Sequence, residues 1–357
     1  MSSNREIVGI QYLRGVAACA VVFDHAASMA TFDKYYGVEL WGGWLQKGAI
    51  GVDLFFMISG FIIAIVSLGP QTLDRRIGLA EFAARRFSRI VPLMWVAILS
   101  YAALRFLGRG VFDPIPYLKA LILWPVGSVD PKIIWTLRHE AIFYTVFALT
   151  FLGSKWLRPL MILWVISPLF LFVEGGFDQS ASQWGQVQQI IMSPANLEFG
   201  VGLAIGMVWL KWTRSFGFEF PFLWPVSVVY MLVSMGLANL INIQVNRIPD
   251  TIICSLIFIP VLMLCIHAKA KGSSLGLLLG NASFSIYLFH SHFVSALLGL
   301  SSKVAATLPV WITVPILALC SIGLSILVYL IVEKPITRIA ARFLLKGPRG
   351  QTSSKPF

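Results

Sequence analysis

The chain is expected to fold as an all-α, polytopic integral membrane helical bundle of about ten transmembrane helices with both termini cytoplasmic. Three observations lead there. Of the 357 residues, 57% are hydrophobic and only 12% are charged. The apolar residues come in long runs, as membrane spans do. The basic residues sit between those runs, so the net charge of +12 reads as juxtamembrane charge and not as a nucleic-acid surface.

The spans are expected at roughly 8–31, 48–68, 90–107, 135–153, 156–173, 195–210, 222–241, 250–267, 275–299 and 310–332. Several fall short of the usual 20 or so residues and suit tilted or partly re-entrant helices. The run from Pro116 to Gly127 is too short to span and is bracketed by prolines, which predicts an interfacial helix. With the N-terminus inside, the inner loops and tails hold 18 Lys and Arg against 8 outside, with Arg14 and Arg138 inside spans. The loop near 174–189, with Glu174 and Asp178 and no Lys or Arg, suits the outside. No long polar linker divides the chain, so residues 1–343 read as one membrane domain. Residues 344–357 read as a short basic cytoplasmic tail, expected to be disordered.

The first span carries Arg14, Asp24 and His25, although a charge at mid-bilayer costs about 2.5–3.5 kcal/mol on insertion scales. Arg14 and His25 are eleven residues apart, which brings them back to nearly the same helix face, about 16 Å apart along the axis. That stripe offers a permanent cation and a titratable imidazole. A snorkelling arginine and a packing histidine are the plain alternative. The absence of a clean apolar h-region argues against a cleaved signal peptide.

The second span adds Asp53, a further embedded carboxylate, and Ser59-Gly60, a tight contact or a cavity wall. Before the third span, Arg85, Arg86 and Arg89 lie at helical i,i+3 and i,i+4 spacing. They enforce topology, bind lipid head groups, or clamp the phosphates of a nucleotide-containing donor. The fourth span opens Trp135-Thr-Leu-Arg138-His139-Glu140, with Tyr144 on the Glu140 face. An interfacial belt explains Trp135 and His139 better than the deeper Glu140. Gly202-x-x-x-Gly206 in the sixth span is a helix-packing signal and not a nucleotide fingerprint. The ninth span pairs Tyr287 with His290 at i,i+3, and the tenth ends Glu333-Lys334-Pro335. The four cysteines, Cys19, Cys254, Cys265 and Cys320, lie in apolar runs and read as packing thiols; no metal-ligand spacing is present.

Taken in order, these motifs resemble acyltransferase family 3, the integral membrane O-acyltransferases. The matching features are Arg14-x10-His25, Gly51-Val-Asp53-Leu-Phe-Phe with Ser59-Gly60-Phe61, and Arg86-x-x-Arg89. They continue with Trp135-Thr-Leu with Glu140 and Phe143-Tyr144, Ser283-Phe-Ser-Ile-Tyr287-Leu-x-His290, and Glu333-Lys334-Pro335. The chain looks most like the members that O-acetylate bacterial exopolysaccharides.

The resemblance implies an acyl-coenzyme A donor, usually acetyl-CoA, on the cytoplasmic side. It implies a polysaccharide or lipid-linked sugar hydroxyl as acceptor, and an inner-membrane location beside polysaccharide synthesis machinery. It carries over Arg14, His25, Arg86 and Arg89 as functional residues. On this reading His25, Glu140 and Arg14 form the catalytic set, His25 as general base and Glu140 as the carboxylate that orients it. Arg85, Arg86 and Arg89 bind the donor. Asp53, Ser59, Trp135, Tyr144, Tyr287 and His290 bind substrate or support the site. No permanently bound cofactor, metal or nucleic acid is expected. The alternative from another class is a proton-coupled secondary transporter using His25, Glu140 and Asp53 as a relay. A lipid-binding assembly partner is a third.

Overall fold

The computed structural model describes residues 7–109, 113–153, 157–173, 183–213, 217–245, 247–303 and 308–345. Arg5, the stretch holding Glu174 and Asp178, and the tail from 346 onward lie outside the described residues.

The fold is an all-α polytopic bundle. Among the described residues, eight helical stretches are long and apolar enough to cross a membrane. Large apolar side chains such as Leu99, Leu107, Ile162, Val233, Leu256 and Ile331 point outward. In water such a surface would aggregate; in a bilayer it faces a solvent of its own polarity.

Helix α1 (Val8–Ala30) sits at the centre, touching the later helices α2, α9, α10, α11 and α12. Its small residues let those backbones come close. A Cβ on Gly15, for example, would stand 2.9 Å from the Gly280 amide nitrogen on α11. Two short 3-10 turns, Trp41–Gly43 and Leu45–Ile50, lead into α2 (Gly51–Ser67). Helix α3 (Leu79–Arg109) runs 31 residues and α4 (Ile115–Leu121) is short. Then come α5 (Ile134–Leu149), α6 (Leu157–Val173), α7 (Gln183–Ile191) and α8 (Ala195–Val208). The chain closes with α9 (Leu223–Leu240), α10 (Ile248–His267), α11 (Ser274–Ser301) and α12 (Val310–Val328). A π-turn over Tyr329–Glu333 then leads into α13 (Lys334–Leu345). A two-residue parallel pair, β1 (Phe218–Glu219) with β2 (Ala268–Lys269), ties the loop before α9 to the end of α10.

The Gly202/Gly206 signal is met at the α2–α8 contact, where a Cβ on Gly202 would overlap the Met57 carbonyl. Gly60 faces the Phe199 carbonyl from the other side. The eight membrane-length stretches coincide with eight of the expected spans. The other two are present as α5 and α6, helices of 16 and 17 residues.

One boundary differs from expectation. Arg85, Arg86 and Arg89 belong to α3 itself and not to a loop before it. The Glu81–Arg85 pair supports the first turns. Pro92 sits within the helix, where a packed membrane bundle tolerates the missing hydrogen bond. At about 46 Å, α3 exceeds a hydrocarbon core of about 30 Å, so it extends beyond the bilayer.

Candidate active site

A cavity of about 100 Å³ opens between α1, α2, α3, α5 and α11. Its charged wall combines Arg14, Arg86, Arg89 and Glu140, with Tyr144 and Tyr287 beside them. Three guanidinium groups around one small cavity is a demanding arrangement in a membrane, and the surrounding groups explain how it is held. Arg86 stacks its guanidinium over the rings of Phe82 at 5.7 Å and Tyr144 at 5.3 Å. Arg14 Nη1 donates to Gln11 Oε1 at 3.1 Å. Glu140 accepts hydrogen bonds from Ser59 Oγ at 3.0 Å and from the Tyr144 hydroxyl. Glu333, from the π-turn, accepts from Ser285 Oγ at 2.5 Å and its amide at 3.2 Å. It also lies close enough to Arg89 and Arg14 for charge interaction. Arg86 Nε and Ser283 Oγ are buried at this wall without a hydrogen-bond partner. The arrangement is suited to an anionic group, because forked guanidinium donors match phosphate oxygens.

Arg85 is not part of the wall. Its guanidinium is taken by Glu81 one turn back, at 2.6 and 3.0 Å. Helical spacing alone does not separate them, since i,i+3 and i,i+4 positions share a face; the Glu81 carboxylate draws Arg85 away while Arg86 and Arg89 line the cavity.

His25 lies further along α1, with its side chain 37% exposed. Its Nδ1 has two oxygen neighbours, the Val21 carbonyl at 3.0 Å and Asp24 Oδ2 at 3.2 Å. Both are acceptors, so the arrangement places the proton on Nδ1 and leaves the Nε2 lone pair to receive one. Glu140 was expected to orient this ring; in the structure it accepts hydrogen bonds from Ser59 and Tyr144 at the arginine cavity, and the carboxylate beside His25 is Asp24. Adjacent Cβ vectors diverge, but the Asp24 side chain is long enough to fold back towards a ring that leans on its own helix.

Between His25 and the cavity stand His290 and Tyr287. The His25 and His290 rings meet edge to face at 4.6 Å, and the Tyr287 ring is 5.9 Å from His290. His290 is fully buried, with Nδ1 against the Tyr287 carbonyl at 2.6 Å and Nε2 unpartnered. The Tyr287 hydroxyl reaches Thr136 at 2.7 Å and the Ile133 carbonyl at 3.2 Å, joining α11 to α5.

Two expected residues lie elsewhere. Trp135 packs edge-on against Phe56 and His139. Asp53 is buried at the α2–α8 contact beside Glu198, which is itself 1% exposed. Glu198 and Glu333 were not among the expected site residues. The available signal was an acid inside or at the end of an apolar span.

The family model described as "Acyltransferase domain" matches residues 7–330. Among curated relatives, the exopolysaccharide production protein ExoZ of Rhizobium meliloti is 31% identical, covering 89% of this chain and 99% of its own. Nodulation protein 10 of Rhizobium leguminosarum bv. viciae is 24% identical, covering 92% of each. The peptidoglycan O-acetyltransferase OatA of Listeria monocytogenes is 23% identical over 72% of this chain and 40% of its own. No solved structure matches.

Proposed function

This chain belongs to the acyltransferase family 3 of membrane O-acyltransferases, and from that we propose that it moves an acetyl group from acetyl-CoA to a hydroxyl of a polysaccharide or lipid-linked sugar. The observation that carries the reading is the division of labour along α1. A guanidinium-walled cavity lies at Arg14, and an imidazole with a free Nε2 lies at His25, about 16 Å further along the axis. Arg86 and Arg89, with Arg14, hold the phosphates of the donor. Its flexible arm carries the thioester towards His25.

His25 Nε2 then takes the proton of the acceptor hydroxyl as that oxygen attacks the thioester carbonyl. The tetrahedral intermediate collapses, the C–S bond breaks, and the imidazolium returns its proton to the departing thiolate. Asp24 holds the Nδ1 proton and stabilises the transient imidazolium. Glu140, tied to Ser59 and Tyr144, positions the arginine side of the cavity. No acyl-enzyme forms on this route.

The basic asymmetry supports both termini on the cytoplasmic side of an inner membrane. The parity is even whether or not α5 and α6 cross fully. We read residues 1–343 as the catalytic unit and the remainder as a basic tail. The proton-coupled transporter reading draws on the buried Asp53–Glu198 pair. Detergent-purified protein incubated with radiolabelled acetyl-CoA decides between them. Acyl transfer or thioester hydrolysis supports the enzyme; neither, together with solute uptake in proteoliposomes, supports the transporter.

A further inference from the structure

A second, larger cavity of about 460 Å³ lies at the opposite end of α1 from Arg14. It is bounded by the C-terminal turn of α1, the 3-10 turns before α2, the end of α9 and the loop that follows. Its lining is polar but nearly neutral. Among the described residues, Glu39 and Lys47 are the only charged residues in it, and the amides of Gln46, Asn239, Asn242 and Gln244 supply further polar groups. The contrast with the arginine cavity is chemical. Three guanidiniums select an anion. Amides and a carboxylate, which offer donors and acceptors together, match hydroxyl groups, which are donor and acceptor at once.

The cavity is built and held. Lys47 Nζ donates to Asn242 Oδ1 at 3.0 Å and to the Ile243 carbonyl at 2.9 Å, fixing the loop after α9. Asn239 Nδ2 donates to the Gly42 carbonyl at 3.4 Å, fixing the turn opposite. Gly42 and Gly43 take φ of +54° and +76°, which keeps that turn open to the lumen at positions where a side chain would be strained. Gln46 and Gln244 line the cavity, and among the described residues neither side-chain amide makes a hydrogen bond to the fold.

One lining residue leads back to the candidate base. Ser28 lines it and donates to Asp24 Oδ1 at 3.5 Å, and Asp24 holds His25. Ala49 and Ile50 line it, while Val52, two residues on, lines the arginine cavity. Between them, a Cβ on Gly51 would stand 3.2 Å from Val21 Cγ2, beside the carbonyl that faces His25. The start of α2 therefore contributes to the walls of both cavities, and Asp24, which holds His25, packs against Gly48 just before it.

We infer that this cavity is the acceptor site and that it binds a neutral saccharide segment, presenting one hydroxyl to His25. The inference rests on the acyl-transfer reading above and adds to it the place and chemistry of the second substrate. Gln46 and Gln244 contact the sugar directly, Glu39 accepts from its hydroxyls, and Lys47 positions the Asn242 loop.

The test uses the full chain in detergent with radiolabelled acetyl-CoA and two acceptors: the host's exopolysaccharide after alkaline deacetylation, and its polyprenyl-linked repeat unit. Gln46→Ala and Gln244→Ala are expected to raise the acceptor KM by about fivefold each, the effect of one lost hydrogen bond. Their acetyl-CoA KM and kcat at saturating acceptor should stay near wild type. Arg89→Ala should show the reverse split. Transfer to the polysaccharide or to the lipid-linked unit alone identifies the source of the saccharide, and the raised acceptor KM of the two variants with that acceptor supports the site. An unchanged acceptor KM in the Gln46→Ala/Gln244→Ala double variant, with wild-type transfer intact, overturns the acceptor site and leaves the acyltransferase reading standing. Absence of transfer and hydrolysis in the wild type overturns both.

Discussion

Asp24 Oδ2 and His25 Nδ1 lie 3.2 Å apart although they are consecutive residues of one helix. The Val21 carbonyl approaches the same nitrogen at 3.0 Å. Two acceptors on Nδ1 leave Nε2 as the only basic position on the ring. Asp24→Asn should therefore lower kcat by about 100-fold or more while leaving the acetyl-CoA KM near wild type, because the amide no longer holds the tautomer or the imidazolium. Kinetics on a monodisperse variant check this. A fall in folded yield with normal kcat would mark Asp24 as a packing residue.

The arginines should separate by function. Arg86→Ala and Arg89→Ala should each raise the acetyl-CoA KM by about 10-fold or more, the scale of a lost charged hydrogen bond. Arg→Lys should also impair binding, since an ammonium lacks the fork. Arg85→Ala should change it by about twofold at most, because that guanidinium is committed to the half-exposed Glu81. Equal effects at all three positions would reduce the cluster to a charge effect.

Glu140→Gln should act on donor use. Its carboxylate stands with Ser59, Tyr144 and the arginines, so the KM for acetyl-CoA should rise more than kcat falls. A loss confined to kcat would return Glu140 to the base.

Gly202→Leu should destabilise the bundle. Even the first side-chain atom would overlap the Met57 carbonyl on α2, and overpacking of this kind costs about 1–3 kcal/mol. A lowered melting temperature in detergent, with aggregation, is expected; unchanged thermal stability would show that α8 can move aside.

Much of this arrangement was legible in the sequence. The apolar runs located the helices, the 11-residue spacing put Arg14 and His25 along α1, and i,i+3 spacing paired Arg86 with Arg89. Helix periodicity reports which face a residue shares with its own helix, and nothing about which helix stands opposite. That is why Glu140 was expected at His25, and why Glu333 and Glu198 were not seen as partners of the arginines and of Asp53. Arg85 failed for a local reason: Glu81, one turn away, competes for it. The start of α3 was placed near 90 because Arg85, Arg86 and Arg89 interrupt the apolar run, whereas the helix continues past the hydrocarbon core and carries them.

Topology is checked by reporter fusions after Gly176 and Gly350. The basic asymmetry expects the first to report periplasm and the second cytoplasm. Cytoplasm at the first position or periplasm at the second would show that the span count is wrong.

The decisive measurement is acetyl transfer by purified His25→Ala protein beside wild type, using radiolabelled acetyl-CoA and the deacetylated acceptor, with folding verified by monodispersity and melting temperature. Loss of transfer, with acetyl-CoA still bound and no labelled protein adduct in wild type incubated with donor alone, is the result expected of a direct, base-assisted displacement. Normal transfer by folded His25→Ala, or an isolable acetylated protein, would contradict it.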